Sequence, residues 1–357
     1  MGRAVLVLVL VGLVALAGCA GDPGGAANGI ETTDSGETET VDESPTATTT
    51  EDGSDNAPNG TLEIHHIDMG QADAALVIAP SGETMLIDTG DWRQDGQGVI
   101  EYLEAHDIDR VDHLVSTHAH ADHIGGHAAV IEHFETEGDG VGAAYDSGVA
   151  STSQTYGNYL DAIEEHDVTL FEVEEGNRLP FGGANVTATV LNPPVGYAGS
   201  DLHDSSVVLT LYFGDVRYLT TGDAESAVER RLVADWHDEL DADIYQAGHH
   251  GSSTSSSQEF LDAVSPEIAL ISSSFDSQYD HPSDETLRRF ADHGIGTYWT
   301  GVHGDIVVTT DGTNVSVETE SDAPTDPLDL LELKPTDENT SLDSVPAERL
   351  SPPPLHG

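Results

Sequence analysis

Hydrophobic and polar positions divide the chain into four stretches. An apolar run from Ala4 to Ala17 follows Arg3 and ends at Gly18-Cys19. Residues 20–60 are mostly Gly, Ser, Thr, Asp and Glu, with almost no apolar side chains. From 61 to 318, short β-branched runs alternate with segments of helical period. Residues 319–357 return to Pro and acidic side chains, with one apolar patch at 328–333. Short β-branched runs bounded by turn residues read as strands. They predict strands within 62–67 and at 74–78, 84–87, 111–115, 168–173, 186–191, 207–213, 216–220, 244–246, 268–272, 302–310 and 315–318. Helical period predicts helices at 99–106, at the end of a strand–loop–helix unit spanning 111–134, and at 157–166, 224–236, 259–264 and 285–293. Residues 135–160 show little clear period. Strands and helices mixed throughout one stretch of this length predict a single layered α/β (α+β) domain over 61–318.

The outer stretches read as processing and tethering segments. The apolar run is shorter than the roughly 20 residues that span a bilayer, so 1–19 reads as a secretion signal. Leu16-Ala17-Gly18-Cys19 resembles a lipobox, which implies cleavage before Cys19 and a membrane-anchored, extracytoplasmic lipoprotein; a plain signal peptide or an uncleaved anchor is the alternative. One acyl chain holds a membrane only marginally, so stable anchoring calls for a second. Residues 20–60 read as a disordered acidic tether. In 319–357 the patch at 328–333 can dock on the domain, and the remainder reads as disordered.

Charge changes the picture. There are 66 acidic residues against 11 basic ones, a net −55, and the acids run through the domain as well as the tails. Self-repulsion on this scale destabilises a compact state at low salt. In molar salt the Debye length falls to about 3 Å, and the repulsion is largely screened. The composition therefore predicts a halophilic protein. Only Arg230-Arg231 and Arg288-Arg289 form basic pairs, and Lys334 is the one lysine. Cys19 is the sole cysteine, so any metal ligands within the domain are nitrogen or oxygen donors.

The densest chemistry lies in Asp112 to His127, D-H-L-V-S-T-H-A-H-A-D-H-I-G-G-H. His118, His120, Asp122 and His123 form H-x-H-x-D-H, the donor types that zinc, manganese and iron take. A turn off the buried strand at 111–115 can aim His118 and His120 one way and Asp122 and His123 another. That layout suits two metals about 3.5–4 Å apart. Gly125-Gly126 lets backbone pack closely behind the ligands.

Further segments join this one: H-H-I-D-M-G-Q-A-D-A at 65–74, L-I-D-T-G at 86–90, L-T-T-G-D at 219–223, G-H-H-G-S-S at 248–253 and Y-D-H-P at 279–282. Together they resemble the metallo-β-lactamase superfamily, and within it the metallo-hydrolase domain of ComEC/Rec2-type competence proteins, over 61–312. The resemblance implies a four-layer αββα sandwich with two divalent ions, zinc or manganese, at one edge. It implies His118, His120 and His203 around the first ion and Asp122, His123 and His249 around the second, with Asp223 bridging. His250 is the alternative to His249. His203-Asp204-Ser205-Ser206 departs from the N-x-x-S of ComEC-like proteins, leaving His203 as a ligand or a surface residue. Asp88 would orient ligands, and Asp68 and Gln71 would line the pocket; a turn carboxylate is the other reading of Asp68.

Paired cations lower the pKa of a shared water towards neutrality and neutralise charge on a phosphoryl or carbonyl oxygen. Asp122, Asp223 and His281 form the expected catalytic set, His281 protonating the leaving oxygen or gripping a phosphate. Ser252, opening a serine-rich run to 257, offers donors to that phosphate or belongs to a flexible loop. The resemblance implies a phosphodiesterase acting on DNA outside the membrane. The net charge opposes a polyanionic substrate, so a small ester, thioester, phosphocholine-type ester or β-lactam is the alternative. A non-catalytic lipid-tethered binding protein of the same fold is a third reading, which the full ligand set weighs against. No protein partner is inferable.

Overall fold

The structure is a computed structural model describing residues 7–9 and 58–335. Its first half runs β1 (Val7–Val9), β2 (Leu62–His66), β3 (Ala75–Ile78), β4 (Thr84–Ile87), α1 (Gln97–Ala105), β5 (Val111–Val115), α2 (His127–Thr136), β6 (Val141–Asp146), α3 (Gln154–Glu165) and β7 (Leu170–Glu172). Next come β8 (Arg178–Leu179), β9 (Val186–Asn192), β10 (Val208–Phe213), β11 (Val216–Thr220), α4 (Ser226–Leu240), β12 (Ile244–Gln246), α5 (Gln258–Val264) and β13 (Ile268–Ile271). The chain continues through α6 (Asp284–His293), β14 (Gly296–Trp299), α7 (Thr300–His303), β15 (Ile306–Thr310), β16 (Val315–Thr319) and α8 (Pro327–Leu333). One sheet is ordered β1-β7-β6-β5-β4-β3-β2-β15-β16, the other β14-β13-β12-β11-β10-β9-β8.

Successive side chains of a strand face opposite sides of its sheet, and both sides here are apolar. Val77, Ile87 and Val115 of the first sheet meet Val190, Leu211 and Tyr218 of the second in a core between the sheets. Their neighbours Leu76, Leu86 and Leu114 turn outward onto Val99, Val130, Phe134 and Tyr159 of α1, α2 and α3. On the far side Leu219, Tyr245 and Ile271 pack beneath α4, α5 and α6 through Leu232, Phe260 and Phe290. The result is the expected four-layer αββα sandwich. Strands buried on both faces explain the continuous apolar runs in the sequence.

Several stretches differ from expectation, and β8 and β14 lie where no strand is expected. β6 lies in the stretch without clear period, because Val141-Gly142-Ala143-Ala144 carries little side chain and owes its place to pairing between β5 and β7. The strand expected over 302–310 is confined to β15; the residues before it form α7, which follows β14, and Gly304 at φ 69° makes the turn. The apolar patch at 328–333 does dock, as α8, with Leu330 fully buried.

Most of the signal and tether segments, with Cys19, and the tail beyond 335 lie outside the described residues. The exception is β1, whose backbone pairs in parallel with β7. Among the described residues no helix is long and apolar enough to cross a membrane.

Candidate metal centre

The loops leaving β4, β5, β11 and β12 meet at one edge of the sandwich. β5 delivers Ser116 and Thr117 into the turn 118–126. Asp88, just past β4, accepts from the Thr117 amide at 2.8 Å and hydroxyl at 2.6 Å, and contacts His123 Nδ1 at 2.8 Å. That contact holds the ring so that Nε2 faces inward. A Cβ on Gly125 would collide with the backbone of Asp91 and Trp92, so the close packing expected at Gly125-Gly126 is present. His127 is a structural residue, buried between the hydroxyls of Thr89 and Ser116 at 2.7 Å each.

Asp223 sits at the middle of the cluster, after Thr221-Gly222 at the end of β11, its amide held by Ser206 Oγ. Its Oδ2 faces His118 Nε2 at 3.6 Å, His249 Nε2 at 3.7 Å and His203 Nε2 at 3.9 Å. His120 Nδ1 joins this group, 2.8 Å from His118 Nε2. Its Oδ1 faces His123 Nε2 at 3.2 Å and His250 Nε2 at 3.9 Å. Asp73 falls within this second group, and Asp122 Oδ2 lies beside it, 3.5 Å from His250 Nε2. Donors around one tetrahedral ion with bonds near 2.1 Å stand roughly 3.4 Å apart. The carboxylate of Asp223 thus presents one oxygen to each of two donor groups.

Three observations fit these residues to cations. His123 Nε2, His250 Nε2 and Asp223 Oδ1 are buried without a hydrogen-bond partner, a rare state for polar atoms. All donors are imidazole or carboxylate, types that zinc and manganese accept. Charge is also unbalanced. Burial alone would lower the His250 pKa, but Asp73, Asp223 and Asp122 outweigh it and push it up to about 9. His123 is likewise raised despite burial, by Asp223 and Asp88. Around these two rings the carboxylates favour added positive charge, whereas burial lowers the pKa of His118, His120 and His249.

The structure separates His249 from His250. Both adopt left-handed backbone, at φ 51° and 56°, a conformation that costs roughly 1–3 kcal/mol per residue and is usual at functional sites. His250 is buried in the group expected around the second metal, its Nδ1 donating to Ser272 O at 2.9 Å. His249 stands with His203 at the mouth, on the side of the first group, and not with Asp122 and His123. His203 is brought to the cluster by the loop after β9. Asn192 Nδ2 donates to the carbonyls of Asp204 and Ser206, and Arg231 donates to Asn192 Oδ1.

Two carboxylates were not legible as site residues. Asp73 Oδ2 lies 3.6 Å from His250 Nδ1 and 3.8 Å from His123 Nδ1, behind the inward-facing nitrogens. It is the last acid of the segment that also holds Asp68 and Gln71, so its signal was present. Glu225 Oε1 lies 3.3 Å from His249 Nδ1 and 3.8 Å from His203 Nδ1, and accepts from Thr254 Oγ1 at 2.9 Å. Only its position two residues after Asp223 hinted at it.

The remaining expected residues divide. Gln71 Nε2 lies 3.4 Å from His281 Nδ1, and the His281 ring is 5.6 Å from that of His249. Burial, with repulsion from His250 and His249, pushes the His281 pKa down to about 4, so the ring is neutral at pH 7. Asp68 is an exposed turn carboxylate accepting from the Gly70 amide at 3.0 Å. Ser252 is turned towards Thr254 Oγ1 at 3.0 Å. The serine run is pinned: Glu229 accepts from the amides of Ser256 and Ser257, and Arg289 donates to the carbonyls of Ser253, Ser255 and Ser256. Those amides are unavailable to a phosphate.

Comparison with known proteins gives a consistent identity. Residues 68–274 match the metallo-beta-lactamase superfamily. The chain is 30% identical over 260 residues to ComE operon protein 3 of Bacillus subtilis, covering 68% of this chain and 32% of that protein. It is 30% identical over 251 residues to competence protein ComA of Neisseria gonorrhoeae, covering 69% and 32%. It thus spans about a third of these relatives' length. The solved structure of CmlA, a diiron β-hydroxylase from Streptomyces venezuelae, is similar with a TM-score of 0.46 and 17% identity, over 70% of this chain and 54% of that one. With the sandwich and the histidine–aspartate cluster at its edge, the match places the chain in the metallo-β-lactamase superfamily, as a hydrolase of that fold.

Proposed function

We propose that the protein is a metal-dependent phosphodiesterase that cleaves DNA outside the cell membrane, held there through a lipid on Cys19. The observation that carries the reading is Asp223, one oxygen facing each of two donor groups. His118, His120, His203 and Asp223 would hold one divalent ion, zinc or manganese, and Asp122, His123, His250 and Asp223 a second. Such a pair supplies an ionised water at neutral pH and neutralises charge on a phosphoryl oxygen. Asp88 and the Ser272 carbonyl keep the His123 and His250 rings aligned. His281, neutral at pH 7 and beside Gln71, stands at the mouth, where its ring can hydrogen-bond a substrate oxygen. Similarity to two competence proteins and the motif resemblance to ComEC support DNA as substrate.

A small ester is the second reading, favoured by the net −55, which repels a polyanion. The full chain, assayed in molar salt with manganese or zinc on end-labelled linear DNA beside a panel of small esters, separates the two. Metal-dependent DNA cleavage absent from His120→Ala is expected. Hydrolysis of esters with DNA left intact would overturn the nuclease reading. Mass spectrometry of the membrane-extracted protein should find acyl chains on Cys19; an unmodified N-terminus would rule the anchor out.

A further inference from the structure

A cavity of about 610 Å³ opens beside the metal centre, between the loop after β13 and the C-terminal end of α8. His281 is a wall of this cavity, and its ring is also 5.6 Å from that of His249. His281 thus borders both the cavity and the donor cluster. Phe275 forms another wall. It is 44% exposed, and its ring lies near-parallel to that of buried Trp299, with centroids 5.9 Å apart and planes 23° apart. Phe275 thus presents an exposed aromatic ring to the cavity, held beside buried Trp299. Asp276 and Gln278 line the same space and offer oxygen acceptors. The cavity's one lysine, Lys334, is held by Asp280 and Asp284 at 2.8 and 3.0 Å.

These features select the ligand. Carboxylates repel a phosphate, and Lys334 is committed to them. An aromatic platform bordered by acceptors suits a flat ring bearing exocyclic amino groups, as adenine, cytosine and guanine do. We propose that this cavity is a nucleobase pocket, with Phe275 stacking the base next to the phosphodiester presented to the metal centre. The proposal rests on the phosphodiesterase reading and deepens it. Nucleic acids are usually gripped through lysine and arginine, which this chain largely lacks. Stacking on an uncharged ring is not a counterion-release effect and so survives the salt the composition calls for.

The test uses the full chain in molar salt with manganese and a single-stranded oligonucleotide. A second oligonucleotide carries an abasic residue beside the cleaved bond. Phe275→Ala and Phe275→Leu should each raise KM for the base-bearing strand roughly tenfold, the loss expected for one stacked base. They should leave KM for the abasic strand unchanged, and Phe275→Trp should restore the base-bearing value. The leucine variant keeps the bulk over Trp299, so a folding defect confined to the alanine variant is recognised. Unchanged KM for the base-bearing strand, or equal losses on both strands, would overturn the pocket. If the wild-type chain cleaves no strand, the nuclease reading fails separately. Quenching of 2-aminopurine nucleotide fluorescence then decides the pocket: quenching lost in Phe275→Leu supports it, and no quenching by wild type overturns it.

Discussion

At the scale of single residues, the cluster works through pairs in which one side chain aims another. Asp88 and Asp73 stand behind His123 and His250, while Glu225 stands behind His203 and His249. A carboxylate on Nδ1 fixes the ring and strengthens Nε2 as a donor, and its loss typically costs about 10–100-fold in metal affinity. Glu225→Gln should weaken one of two bound ions by that order and leave the other unchanged, as read by competition with a chromogenic chelator. Equal weakening of both, or of neither, would show that Glu225 does not act on the first group. A different residue carries a pH signature. Burial, with Glu172 nearby, pushes the Asp146 pKa from 3.8 to about 6, only partly relieved by the Gly148 amide. A raised carboxyl pKa means the folded state holds its proton longer than the unfolded state. The associated stability is full below about pH 4 and is lost as pH rises through 6. Asp146→Asn should gain about 2–3 kcal/mol at pH 7 and flatten the pH 4–6 slope of the melting temperature. A variant no more stable than wild type at pH 7 would refute this.

At the scale of elements, the strands were legible wherever both faces are apolar. β5, β11 and β12 fall at the expected residues because Val111–Val115, Val216–Thr220 and Ile244–Gln246 are short runs rich in β-branched and other apolar side chains, bounded by turn residues. β6 was not, because a strand of Gly and Ala is specified by its neighbours rather than by its own propensity. α8 has a role its composition only hinted at. Its last turn leads into Lys334, buried against Asp280 and Asp284, and so ties the C-terminal helix to the loop carrying His281. Because the two carboxylates are substantially exposed, Lys334→Met should cost only about 1 kcal/mol of stability. Its larger effect should be a drop in kcat through a loosened His281 loop, seen also as faster amide exchange over 276–283. Wild-type exchange in the variant would show that α8 is a passive cover.

At the scale of the whole molecule, charge dominates. With a net −55, few of the surface acids have a basic partner, and exposed pairs such as Arg93–Asp91 and Arg288–Asp284 add little. Melting temperature should therefore rise steeply between low and molar potassium chloride as repulsion is screened. A flat or falling curve would sink the halophilic reading. The same field bears on substrate capture. A polyanion gains nothing from long-range steering here, so recognition falls to the metal centre and to uncharged contacts beside it.

The sequence by itself determined the layered α/β fold and most of its strands, because two-sided burial writes apolar runs directly into the chain. It also brought His118, His120, Asp122 and His123 together, because they lie within one short turn of chain. The tertiary structure alone decided how the distant members combine. His249 and His250 are adjacent in sequence, yet two left-handed residues send one ring to the mouth and the other into the core. Asp73 and Glu225 acquire partners only when loops from separate strands meet at the sandwich edge. Phe275 and Lys334 share a cavity because α8 returns across α6. Contacts made at long sequence separation depend on how the sheets stack, and no local pattern of residues encodes them.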